Sequence, residues 1–135
     1  MNDADLLLRI AETLKQEIAP AVGAEYPKTQ AYMAAVVLQK LGRQAALAPA
    51  HARAARAEVD ALIADLTASV PTGASEIRRA VEHFAHARDP AALCALIETL
   101  YTSRGVLGDG RFEDLLARVR QTLRADIERR MEYAE

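Results

Sequence analysis

Four groups of residues in this 135-residue chain have types and spacings that could do chemistry. His83 and His86 stand three apart in Glu82-His83-Phe84-Ala85-His86, close enough on one helix to share a metal ion. Both fall opposite Ile77, Val81 and Phe84 and beside Arg79, whose charge opposes a cation. No HExxH motif and no pair of Glu-x-x-His motifs supplies further ligands. The pair therefore reads as a solvated polar face, and no metal site is expected. His51, isolated in sequence, reads as a surface residue. Cys94 is the single cysteine, which excludes a disulfide framework. It lies on a helix flank next to Ile97 and Tyr101 with no histidine near it in sequence, and reads as a small buried side chain. There is no Gly-x-Ser-x-Gly elbow and no Ser-x-x-Lys, so no catalytic residue is nominated.

The third group is Ser103-Arg104-Gly105-Val106-Leu107-Gly108-Asp109-Gly110-Arg111, a glycine-rich stretch before a helix start, where anions are attracted. It lacks the Lys-Ser/Thr ending of a P-loop, and no strand precedes it. Asp109 serves equally well as a helix cap and the glycines as a turn, so no nucleotide cofactor is expected. The fourth is the arginines: Arg53, Arg56, Arg78, Arg79 and those of the last helix. Acids are interleaved among them, Asp114 four before Arg118 and Asp126 four before Arg130, the spacing of intrahelical ion pairs. With a net charge of -2 and no aromatic residues between the arginines, the pattern predicts a mixed-charge surface and no nucleic-acid partner.

The elements that would position these groups are helical. Apolar residues make up 51% of the chain and aromatic ones only 4%, alanine is abundant, and no stretch alternates with period two long enough to be a strand. The breakers predict a first helix over about 3–19, capped by Asn2 or Asp3, with Leu7, Ile10, Leu14 and Ile18 inward. A second runs from near Pro27 to about Leu47 on Ala34, Val37, Leu38, Leu41 and Ala45, and Pro49 closes it. A third, about 50–69, buries Val59, Leu62, Ile63 and Leu66. Pro71-Thr72-Gly73 is a break, followed by a helix over about 75–87 with Ile77, Ala80, Val81 and Phe84 inward. Asp89-Pro90 reads as N-cap and first helical position of a fifth helix burying Leu93, Leu96, Ile97 and Leu100. After the longest loop, a last helix over about 111–133 buries Phe112, Leu116, Val119, Leu123 and Ile127. The chain is thus expected to be all-α, one domain over 1–135, a compact bundle of five to six mostly antiparallel helices. The longest apolar run is too short to span a bilayer, and the acidic start lacks a basic leader, so a cytoplasmic protein is expected.

Two faces are left over once the core stripes are assigned. On the second helix, Tyr32, Val36, Gln39 and Arg43 form a second line at helical spacing, which suits a central helix or the seam of a homodimer. On the third, Ala54, Ala57, Ala61, Ala64 and Ala68 form a small-residue line that composition alone explains. Leu8 points away from the main stripe of its helix, as single exposed leucines do. Two functional readings follow: a non-catalytic accessory protein acting through a homodimer or a protein partner, or a small-molecule binder or minor enzyme with a pocket at Tyr32, Cys94 and Tyr101.

Several segments resemble a family of uncharacterised small bacterial helical proteins, typically encoded beside aminoglycoside-phosphotransferase-like kinases and acyl-CoA dehydrogenases. They are Leu6-Leu7-Leu8-Arg9-Ile10, Glu17-Ile18-Ala19-Pro20, Ala31-Tyr32-Met33-Ala34-Ala35-Val36-Val37-Leu38, Gly105 through Asp109, and Leu115-Leu116-Ala117-Arg118-Val119-Arg120-Gln121-Thr122-Leu123. The sequence departs from the family at Tyr32-Met33, where an Arg-Val pair is expected, and before Tyr133, where an Asn-Pro is. The resemblance carries over no site residue. It implies an accessory role near acyl-CoA or kinase chemistry, with the activity in a partner.

Overall fold

A computed structural model describes residues 1–134, and every element among them is helical. The chain is all-α, and it gathers into two compact units. Unit 1 comprises Met1–Arg53 with the C-terminal Arg129–Glu135, and unit 2 comprises Ala54–Glu128.

In unit 1, α1 (Asp3–Thr13) starts at Asn2, whose side chain accepts from the Asp5 amide while the Asp5 carboxylate accepts from the Asn2 amide. This reciprocal cap satisfies two amides that a helix start leaves open, and two acids suit its positive end. The helix widens into a π-turn over Leu14–Ile18 and ends in one more α-turn, α2 (Ala19–Ala21). The cause lies next door: Pro20 has no N–H and its ring crowds the carbonyl four residues back. The wider turn instead lets the Ala19 amide donate to Leu14. After Val22 turns extended, α3 begins at Glu25 and runs unbroken to Ser69, a 45-residue helix with Pro49 inside it. The expected division at Pro49 is therefore corrected. The proline deprives the Ala45 carbonyl of its donor, but its neighbours Ala45, Ala46, Ala48 and Ala50 are strong helix formers with no bulk to meet the ring.

Unit 2 holds the conventional core. The end of α3 contributes Leu62 and Leu66, and α4 (Ser75–Ala87) contributes Ile77, Val81 and Phe84. Next come Ala92, Leu96 and Leu100 of α5 (Pro90–Thr102), then Leu107 of the short α6 (Arg104–Leu107). Phe112, Leu115, Leu116 and Val119 of α7 (Asp109–Met131) complete it. The bounds of α4 and the start of α5 fall where the breakers place them, and Asp89 caps α5 by accepting from the Ala92 amide at 2.7 Å. Two inward assignments fail: Leu123 and Ile127 are exposed. The α7 core row stops at Val119. The expected 111–133 helix instead starts at Asp109 and gives way after Met131 to a 3-10 turn, Glu132–Ala134.

Candidate interaction surface

Each chemical candidate resolves into structure. His83 and His86 are both exposed, and no cluster of three or more His, Cys, Asp or Glu among the described residues is arranged to hold a metal. In the glycine-rich stretch, Gly108 takes φ +81° and turns the chain between α6 and α7, a conformation that favours glycine. Arg104, the cation that would meet a phosphate, donates to Asp109 at 2.8 Å, lies 3.9 Å from Glu113 and rests over the Phe112 ring. The Asp109 hydrogen bond holds its guanidinium above the ordinary arginine value. Arg118 does not pair with Asp114 within its helix. It reaches Asp65 on α3 at 2.6 Å and Thr122 at 2.7 Å, tying α7 to α3 inside unit 2. The cleft of about 410 Å³ around this pair also carries Arg111 and Asp114, so its charges are balanced and select neither anion nor cation.

Two readings from sequence are corrected. Cys94 is exposed, as is Tyr101, which stacks edge-on against Phe112 at 5.1 Å. His51 is no bare surface residue: its ring is mostly covered, bonds Glu132 at 2.9 Å and lies 4.9 Å from the Tyr133 ring. The C-terminal turn is thereby fastened to α3 within unit 1, by partners too distant in sequence for any motif to show.

The feature that stands out is what unit 1 buries. Among the described residues its buried apolar side chains are Ala4, Ala11, Ala19 and Ala35, with Gly42 buried beside them. Leu8 packs into the gap at Gly42, where an added Cβ would lie 2.8 Å from Leu8 Cγ and 3.3 Å from the Ala4 carbonyl oxygen. Leu8, read as a stray leucine, is thus half-buried at the centre of the α1–α3 contact. Because Leu8 meets Gly42 while Ala11 and Lys15 sit nearer Ala35 and Gln39, the two helices are antiparallel. At about 100° per residue in both helices, Glu12 and Gln39 lie to one side of this contact. There they line a small polar cleft with Lys15.

The apolar stripes of both helices lie to the other side, and they are uncovered. Leu6, Ile10 and Ile18 are 47%, 42% and 46% exposed, and Val37 and Leu41 are 55% and 47% exposed. On α1 the row forms a shallow apolar groove with Leu14, bordered by one charged residue, Arg9. The π-turn keeps this row straight. A four-residue step advances a side chain by about 40° on an α-helix, and the wider turn before Ile18 sets that advance back. Of the residues expected inward in 3–47, Ile10, Ile18, Ala34, Val37, Leu41 and Ala45 are exposed, which corrects that expectation, whereas Leu7, Leu14 and Leu38 are half-buried. Tyr32 and Val36, with Gln39 and Arg43, lie round the helix from this face, towards the polar edge, with Tyr32 and Val36 also exposed. No family model, curated protein or solved structure matches the chain.

Proposed function

We propose that this chain is a non-catalytic helical interaction protein that works as a homodimer in the cytoplasm and serves a protein partner. The resemblance in its helices links that partner to acyl-CoA or kinase chemistry. One observation supports the reading above others: the α1–α3 hairpin is closed by alanines and a glycine, while Leu6, Ile10, Ile18, Val37 and Leu41 are exposed. Contiguous apolar surface of this kind on a folded chain marks an interaction site. Several charged side chains are meanwhile engaged with one another. Arg104 pairs with Asp109, Arg118 with Asp65, Arg88 with Asp60 at 2.6 Å, and His51 with Glu132. No helix among the described residues is long and apolar enough to cross a membrane.

The test is the mass of the purified full chain by sedimentation equilibrium across micromolar concentrations, beside affinity capture from the native cell. A species of twice 14.7 kDa is expected. A lone monomer at every concentration, with no protein retained on capture, overturns the proposal.

A further inference from the structure

From the geometry of unit 1 we infer which face a second copy occupies: two α1–α3 hairpins pack face to face through Leu6, Ile10, Ile18, Val37 and Leu41, with Met33, four before Val37 and 60% exposed, extending the row. They form a four-helix bundle about a two-fold axis, with α1 of one copy laid on α3 of the other. This rests on the homodimer reading and deepens it.

Three observations select a second copy as the occupant. The first is the missing core. Two helices joined through alanines enclose no apolar interior, and a four-helix bundle is a familiar helical arrangement that does. A two-fold axis supplies the other two helices from an identical surface. The second is area. Six large side chains about half exposed leave on the order of 500 Å² of apolar surface. A standard interface takes about 800 Å² from each partner, and about 65% of a homodimer interface is apolar, so the patch is the right size. The third is charge. Leaving aside Glu12, Lys15 and Arg43, which lie on the polar side, Asp3, Asp5 and Glu17 outnumber Arg9 over residues 3–21, whereas Lys28, Lys40 and Arg53 outnumber Glu25 on α3 up to Arg53. An acidic helix laid on the basic helix of its copy is attracted at the rim of the seam.

The experiment compares the wild-type chain with Ile10→Glu, Val37→Glu and Val36→Arg by sedimentation equilibrium, with helical circular dichroism on each sample. A buried unpaired carboxylate in the seam is expected to weaken dimerisation roughly 100-fold or more. Ile10→Glu and Val37→Glu should therefore each give 14.7 kDa where the wild type gives twice that mass. Val36→Arg should leave the dimer intact. Partial loss of helical signal in the two monomeric variants also supports the inference, because unit 1 has no core of its own. A wild-type dimer that survives both glutamates, or that Val36→Arg splits, overturns this face while leaving the homodimer standing. Complete unfolding of both glutamate variants assigns the side chains to the protomer's own core and overturns it too. A monomeric wild type overturns this inference and the homodimer reading together.

Discussion

Gly42 is where the closeness of α1 and α3 can be measured. Two effects of Gly42→Ala oppose each other. In a helix interior, alanine is favoured over glycine by about 0.8–1.0 kcal/mol. Against that, the new Cβ would lie 2.8 Å from Leu8 Cγ, 2.9 Å from Leu8 Cδ2 and 3.3 Å from the Ala4 carbonyl oxygen. The leucine can swing away only by leaving the gap it fills, and the Ala4 backbone can move only by shifting α1. Overpacking of this sort costs about 1–3 kcal/mol, so Gly42→Ala should destabilise by about 1 kcal/mol net. The sign should reverse once Leu8 is shortened. Leu8→Ala alone should cost about 1–2 kcal/mol, below the 2–5 of a fully buried leucine because Leu8 is half-buried. In that background both close side-chain atoms are gone, and Gly42→Ala should become neutral or stabilising, a coupling of about 1–2 kcal/mol. Urea unfolding of the four proteins followed by helical circular dichroism gives the cycle, and hydrogen exchange of the α1 amides localises it. If Gly42→Ala stabilises by its full propensity gain in both backgrounds, the helices are not in close contact there and the description of unit 1 fails.

Three further outcomes follow from single contacts. Asn2→Ala removes one half of the reciprocal cap and should cost about 0.5–2 kcal/mol, seen as faster exchange of the first α1 amides. Arg88 ends α4 at φ +53° and pairs with Asp60 on the surface. The left-handed conformation costs a non-glycine residue about 1–2 kcal/mol, against about 0.2–1 for an exposed ion pair. Arg88→Gly should therefore raise the unfolding midpoint and Arg88→Ala lower it; the reverse order would refute this ranking. Leu62→Ala opens a cavity in the unit 2 core, where the side chain is fully buried, and should cost about 2–5 kcal/mol in denaturant unfolding.

The parts of the fold legible in the sequence are those governed by local chemistry. Pro71-Thr72-Gly73 and Asp89-Pro90 act within a few residues: α4 begins after the first and ends before the second, where α5 begins. The unit 2 core was legible because Leu62, Leu66, Ile77, Phe84, Leu96 and Phe112 are large residues on one face of each helix, buried by helices of the same unit. Pro49 misled because a proline's effect depends on its surroundings, and an alanine-rich stretch tolerates what bulkier neighbours would not. Arg118 pairs across helices because Asp65 lies within reach in three dimensions, which no count of four along the chain reveals.

At α1 and the first half of α3 the apolar stripes are legible in sequence, but what covers them is not. Apolar periodicity identifies the face that must leave water and is silent on whether the same chain covers it. The contact the chain makes within itself is carried by Ala4 with Ala11, and by Ala35 with Gly42, each pair seven residues apart. Such small-residue spacing scores weakly beside leucines and isoleucines, yet it permits the closest backbone approach. Turning Ile10 and Leu14 into the hairpin would force the helices apart and forfeit the Leu8–Gly42 fit. With the small residues inward, the large ones are committed to the outside, where each half-exposed side chain holds about 1 kcal/mol of unrealised burial. A hairpin built this way stores the driving force for association in its own folding choice. That is why the features that make unit 1 weak as a solitary core make it suited to be half of a shared one.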